Sequence, residues 1–187
     1  MNIANVLTLS RFGFALLMVW LLCQQSLMGY CLSAVCFILA ALTDLYDGYF
    51  ARKLNLISNF GKIMDPIADK ALILAVFITV AWMGVIPMWM VFVIALREVV
   101  VTVDRLIVMQ KGKVIAAERA GKVKTVLQIV SISFILLLLI TQQAFAQHQW
   151  FTSIETLSFN AIYLLMGLTM VVTVVSGAMY FRGRMAS

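Results

Sequence analysis

Residues 44–69 read DLYDGYFARKLNLISNFGKIMDPIAD, and four of the chain's eight acidic residues lie there: Asp44, Asp47, Asp65 and Asp69. The 187-residue chain as a whole is 64% hydrophobic and only 12% charged. A carboxylate at the centre of a bilayer costs about 2.5–3.5 kcal/mol even on insertion-based scales. Four of them clustered in such a chain call for a compensating partner, and a divalent cation is the simplest one.

Outward from this stretch the sequence is a series of apolar runs. A spanning helix needs about 20 apolar residues. Six runs come close to that length, over residues 6–23, 30–50, 66–84, 87–109, 124–145 and 157–181. Backbone polar groups in lipid must be satisfied within the segment, so these runs are read as helices. No period-two alternation recurs to suggest a barrel. The expected fold is an all-α integral membrane protein with six transmembrane helices, forming a single transmembrane domain over residues 1–187.

The net charge of +6 has an explanation other than nucleic acid. With the N-terminus in the cytoplasm, the outer loops fall near 24–29, 84–87 and 146–157, and none contains Lys or Arg. The basic residues then lie on the cytoplasmic side, as the positive-inside rule requires. Cys23, Cys31 and Cys36 lack a C-x-x-C spacing and read as small buried apolar residues. His148 stands in an expected outer loop, far from the carboxylates. The first apolar run follows Arg11 and has no convincing small-residue cleavage site, so it reads as a retained helix.

At 3.6 residues per turn, Asp44, Asp47, Gly48, Ala51 and Arg52 fall within an arc of about 140°. Gly61, Asp65 and Asp69 form a second stripe at i, i+4, i+8 spacing. A short link around residues 53–60 would let the stripes face each other. Pro66 either starts the third helix, with Asp65 as its cap, or kinks it. Carboxylates without Cys or His make a hard, oxygen-only site suited to Mg²⁺ or Mn²⁺, with Ca²⁺ left open. Two such ions can hold a diphosphate and stabilise the attacking and leaving oxygens of a displacement. Gly48 and Ala51 let a ligand approach the helix backbone, and Arg52 offers several donors to phosphate. Helix-end salt bridges with Arg52 and Lys53 would account for any one of the aspartates, but not for all four at this spacing with small residues between them.

The gap-free pattern D-x-x-D-G-x-x-A-R-x8-G-x-x-x-D-x-x-x-D, from Asp44 to Asp69, resembles the signature of the CDP-alcohol phosphatidyltransferases. That resemblance implies a six-helix, usually homodimeric fold with a dinuclear Mg²⁺ or Mn²⁺ site opening to the cytoplasm. It also implies displacement of CMP from a CDP-linked lipid by an alcohol. Asp44, Asp47 and Asp65 would be metal ligands. Asp69 would be the general base and a possible fourth ligand. Asn5, Thr8, Gly48, Ala51 and Arg52 would bind CDP-diacylglycerol.

Three further blocks are similar to bacterial phosphatidylglycerophosphate synthases within that family: NVLTLSR at 5–11, REVVVTVDR at 97–105 and GKVKT at 121–125. This branch uses glycerol 3-phosphate, whose phosphate needs cations. Arg97 and Arg105 are eight residues apart on one helix and share a face. By resemblance, Arg105 and Lys122 are the leading candidates for the acceptor phosphate, with Arg97 beside them. Lys111, Lys113, Arg119, Arg182 and Arg184 read as cations that snorkel to the headgroups. Ala4 and Asp104 depart from the branch's pattern: relatives commonly have proline at the first and a small or apolar residue at the second. Glu98 and Asp104 could also neutralise the two arginines as structural pairs. The implied setting is a bacterial cytoplasmic membrane, with membrane lipids and no nucleic acid as partners. The rival readings are a cardiolipin synthase, which would use phosphatidylglycerol, and a small divalent-ion carrier, which would release no CMP and leaves Gly48, Ala51 and Gly61 unexplained.

Overall fold

A computed structural model describes the backbone of residues 3–54, 59–110, 119–145 and 151–185, and side chains within 10–43, 67–68, 70–109, 121–145 and 156–184. Among the described residues there are six helices and no strand: α1 (Ile3–Cys23), α2 (Leu27–Leu54), α3 (Asn59–Trp82), α4 (Met88–Gln110), α5 (Arg119–Phe145) and α6 (Phe151–Met185). All six expected helices are present. Four of them, α2, α3, α5 and α6, extend beyond the apolar run at the end carrying the charged residues, because charged residues near a membrane surface continue a helix without a desolvation cost.

Local chemistry sets the turns. After α1, the Gln24 and Gln25 amides donate to the carbonyls of Leu21 and Leu22 at 3.3 and 3.1 Å. Gln25 then takes a left-handed φ of 48°, which stops the helix. Ser26 restarts it: its hydroxyl accepts the Gly29 amide at 3.1 Å, the side-chain cap expected at a helix start. α3 ends in a Schellman turn. The Gly84 amide donates to Ala81 and the Val85 amide to Val80, both at 3.0 Å. Gly84 has a φ of 81°, a conformation that glycine adopts without strain.

The chain divides into two compact units, one of residues 1–79 and 136–146, the other of residues 80–135 and 147–187. In the first, α1 and α2 pack as a hairpin whose interior includes Met18, Leu22, Phe37 and Ala40. Gly29 sits at the closest approach: a Cβ there would lie 2.6 Å from the Leu21 carbonyl oxygen. In the second unit α4 packs on α6, and Ile94, Ile132, Ile162 and Met166 are buried. Arg97 meets Ser176, and Asp104 meets Tyr180 and Arg184, so α4 and α6 run parallel. Lys124 of α5 lies level with Glu98 while Ser131 meets Thr169, so α5 runs against both. These directions are those of an in–out helix series.

Large apolar side chains cover the outside. Leu164 is 77% exposed and Trp82 72%. On α4, Phe92, Leu96, Val99 and Val103 are exposed along one side. Exposed apolar area of this extent is unfavourable in water and suits lipid. Trp82 and Trp89 flank the 83–87 turn, where interfacial tryptophans are expected. Gly121–Phe145 and Thr156–Arg184 are long and apolar enough to cross a membrane, and Ser10–Cys23, Leu27–Thr43 and Lys70–Trp82 are shorter apolar helices. One expectation fails here. Cys36 is buried, but Cys23 and Cys31 are exposed, because they lie on the outward, apolar side of the α1–α2 hairpin.

Candidate active site

The acidic stretch lies on the facing ends, in sequence, of α2 and α3. Helical backbone continues through Leu54 and resumes at Asn59, so both ends of the link expected at 53–60 are already helical, and residues 55–58 lie outside the described residues. Asp65 and Pro66 lie inside α3, six and seven residues after its start. Asp65 therefore does not cap the helix start. Proline at this depth has no amide to donate to the preceding turn. The side chains of Asp44, Asp47, Asp65, Asp69, Gly48, Ala51, Arg52, Gly61, Asn5 and Thr8 lie outside the described residues. Continuous helical backbone does fix their register. Asp44 and Asp47 are i, i+3 on α2, and Asp65 and Asp69 are i, i+4 on α3, spacings that place each pair on one side of its helix. All four belong to the first unit. An oxygen-only donor set at these spacings fits hard divalent ions. Among the described residues there is no group of three or more His, Cys, Asp or Glu that could hold a metal ion.

The second unit carries a buried polar cluster in full side-chain detail. Glu98 of α4 is 2% exposed. Its Oε1 accepts from Lys124 Nζ at 2.5 Å, from Arg97 Nη1 at 3.3 Å and from Gln128 Nε2 at 3.3 Å. Arg97 Nη2 also donates to Ser176 Oγ at 2.8 Å. Gly177 makes room for this guanidinium, since a Cβ there would lie 3.0 Å from Arg97 Nε. Arg97 and Lys124 are thus tied to a carboxylate. Of the two lysines in GKVKT, Lys124 is buried and Lys122 exposed.

Arg105 is also exposed. Its guanidinium carbon lies 5.8 Å from the centre of the Tyr180 ring, within cation–π range. The neighbouring carboxylate, Asp104, accepts from the Tyr180 hydroxyl at 3.0 Å and pairs with Arg184 Nη1. Arg97 and Arg105 share the α4 side facing α6, as their spacing requires. The structure pairs Glu98 with Arg97, whereas Asp104 turns to Arg184 and not to Arg105. Arg184, read from sequence as a snorkelling cation, is engaged by α4. Sequence reasoning missed Gln128, Ser176 and Tyr180. The signal was available: Ser176, Tyr180 and Arg184 recur at i, i+4, i+8 along the last turns of α6.

The comparison that decides the family covers nearly the whole chain. The family model for CDP-alcohol phosphatidyltransferase matches residues 1–176. The chain belongs to this family. Among curated relatives of this CDP-alcohol phosphatidyltransferase is a Bacillus subtilis protein named CDP-diacylglycerol–glycerol-3-phosphate 3-phosphatidyltransferase. It is 43% identical over 148 residues, 79% of this chain and 70% of the relative. A Rickettsia felis protein of the same name is 35% identical over 136 residues, covering 73% of this chain and 75% of the relative. A third, from Mycoplasma genitalium, is 43% identical over 98 residues, 52% of this chain and 42% of that protein. The matched stretches thus span from under half to three quarters of these relatives' own lengths.

Proposed function

We propose that this CDP-alcohol phosphatidyltransferase moves the phosphatidyl group of CDP-diacylglycerol to glycerol 3-phosphate, giving phosphatidylglycerophosphate and CMP. The relatives' names support the reaction. The observation that carries the acceptor is Arg105, an exposed cation with no carboxylate partner among the described residues. Family membership and the apolar helices fit a bacterial cytoplasmic membrane.

Asp44, Asp47 and Asp65, joined by Asp69, would hold two Mg²⁺ or Mn²⁺ ions. Bound there, such ions would neutralise a diphosphate and the charge that develops on the attacking and leaving oxygens. The chain's own groups do the rest. Arg52 donates to diphosphate oxygens, and Gly48 and Ala51 leave room for the cytidine diphosphate beside α2, with Asn5 and Thr8 supplying polar contacts. Asp69 takes the proton from the 1-hydroxyl of glycerol 3-phosphate. That oxygen bonds to the lipid-side phosphorus, the bond to the CMP oxygen breaks, and CMP leaves with the electron pair. Arg105 and Lys122 hold the acceptor phosphate through charge-assisted hydrogen bonds. Arg97, bound to Glu98 and Ser176, contributes positive potential. We also propose that the protein acts as a homodimer, which the mass of the detergent-solubilised protein, corrected for bound detergent, would test.

Steady-state kinetics on purified variants tests the acceptor assignment. Arg105→Ala and Lys122→Ala should each raise KM for glycerol 3-phosphate by at least about tenfold, the equivalent of losing one hydrogen bond to a charged group. KM for CDP-diacylglycerol should stay near wild type, because its diphosphate is held by other residues. Unchanged KM for glycerol 3-phosphate in both variants would remove Arg105 and Lys122 from the site.

A further inference from the structure

Asp104 adjoins the proposed phosphate-binding arginine, and a bare carboxylate there would oppose an incoming anion. The structure shows that carboxylate engaged on both oxygens. Tyr180 donates to Oδ2 at 3.0 Å, and Arg184 pairs with Oδ1. The Asp104 side chain is 14% exposed, so its charge is little screened by solvent. The same Tyr180 ring lies 5.8 Å from the Arg105 guanidinium carbon. Asp104, Arg105, Tyr180 and Arg184 are thus one cluster, made by the last turns of α6 lying against α4.

We propose that Arg184 and Tyr180 are positioning residues for the acceptor. They hold and neutralise Asp104, so that Arg105 presents an uncancelled positive charge to a phosphate-bearing alcohol. The inference rests on the assignment of Arg105 to the acceptor phosphate. A plain helix-to-helix ion pair would affect stability and leave acceptor KM alone. A direct contact between Arg184 and the phosphate would be lost with Arg184 whatever stood at position 104. Neutralisation of Asp104 predicts something different from both: removing the carboxylate should cancel the effect of removing the arginine.

The experiment is acceptor and donor kinetics on the full-length protein in mixed micelles. Arg184→Ala should raise KM for glycerol 3-phosphate roughly five- to tenfold, the size of coupling expected between charges in contact. KM for CDP-diacylglycerol should not move. Asp104→Asn combined with Arg184→Ala should bring KM for glycerol 3-phosphate back to within about twofold of wild type. Asp104→Asn alone should leave that KM at or below the wild-type value, and Arg184→Lys should preserve it. A double variant as impaired as Arg184→Ala, or a wild-type KM in Arg184→Ala, overturns the proposal. Should Arg184→Ala fail to fold, a raised KM in Asp104→Asn overturns it instead. Arg105→Ala is the reference. If it raises acceptor KM while Arg184→Ala does not, only this inference falls. If it does not, the acceptor assignment falls and takes the inference with it.

Discussion

Glu98 concentrates the polar interior of the second unit on one atom. Lys124, Arg97 and Gln128 all donate to its Oε1, and the side chains of Lys124 and Glu98 are 5% and 3% exposed. Two cations share one carboxylate in a low-dielectric setting. Removing one partner from such a buried arrangement costs about 3–5 kcal/mol. Glu98→Gln should therefore lower the thermal unfolding temperature in detergent markedly. Adding Lys124→Met should recover part of the loss, because one of the two buried cations that shared the carboxylate is then gone. An unchanged unfolding temperature in Glu98→Gln would show that the cluster is not buried as described. At this scale the sequence was only half legible. It marked Arg97, Arg105 and Lys122 as chemically useful and named Glu98 as a possible partner for Arg97. Spacing alone did not separate Lys122 from Lys124, since both open the same helix; the resemblance favoured Lys122, and packing leaves that amine exposed and Lys124 buried.

The helices themselves were plain in the sequence, because runs of about 20 apolar residues have few alternatives in lipid. Their ends were less legible. Asp65 followed by Pro66 looked like a helix start, yet α3 begins at Asn59, and charged or small residues such as Lys62 and Gly61 hide that extra helical length from an apolar count. Close helix contacts were also hidden, and Gly29 is the clearest case. An alanine Cβ at this position would meet the backbone oxygen of Leu21 at 2.6 Å, and a backbone atom cannot rotate away. Overpacking of this kind costs about 1–3 kcal/mol, against a helix-propensity gain of about 1 kcal/mol for replacing glycine. Gly29→Ala should destabilise the protein on balance. Gly13→Ala is the control: nothing lies within 4 Å of its added Cβ, so it should be neutral or stabilising. The two variants compared by thermal unfolding check the claim, and a stabilised Gly29→Ala would contradict the close approach.

For the whole molecule, the distribution of charge bears on orientation. The outer loops expected from sequence carry no Lys or Arg, and the parallel α4 and α6 with α5 opposed to both are what alternating spans produce. We propose that the acidic signature faces the cytoplasm. A single cysteine placed at position 148, with Cys23, Cys31 and Cys36 replaced, should react with an impermeant thiol reagent in intact cells. One placed at Asn55 should react only after permeabilisation, and the reverse pattern would invert the topology. The chemistry proposed for this orientation is open to one direct measurement: CMP released by the purified protein from CDP-diacylglycerol, with glycerol 3-phosphate, glycerol, phosphatidylglycerol or no acceptor, each with and without a chelator. The account predicts rapid CMP release and phosphatidylglycerophosphate formation with glycerol 3-phosphate alone, abolished by EDTA and restored by Mg²⁺ or Mn²⁺. Release that prefers phosphatidylglycerol or glycerol, or that persists in EDTA, would contradict it.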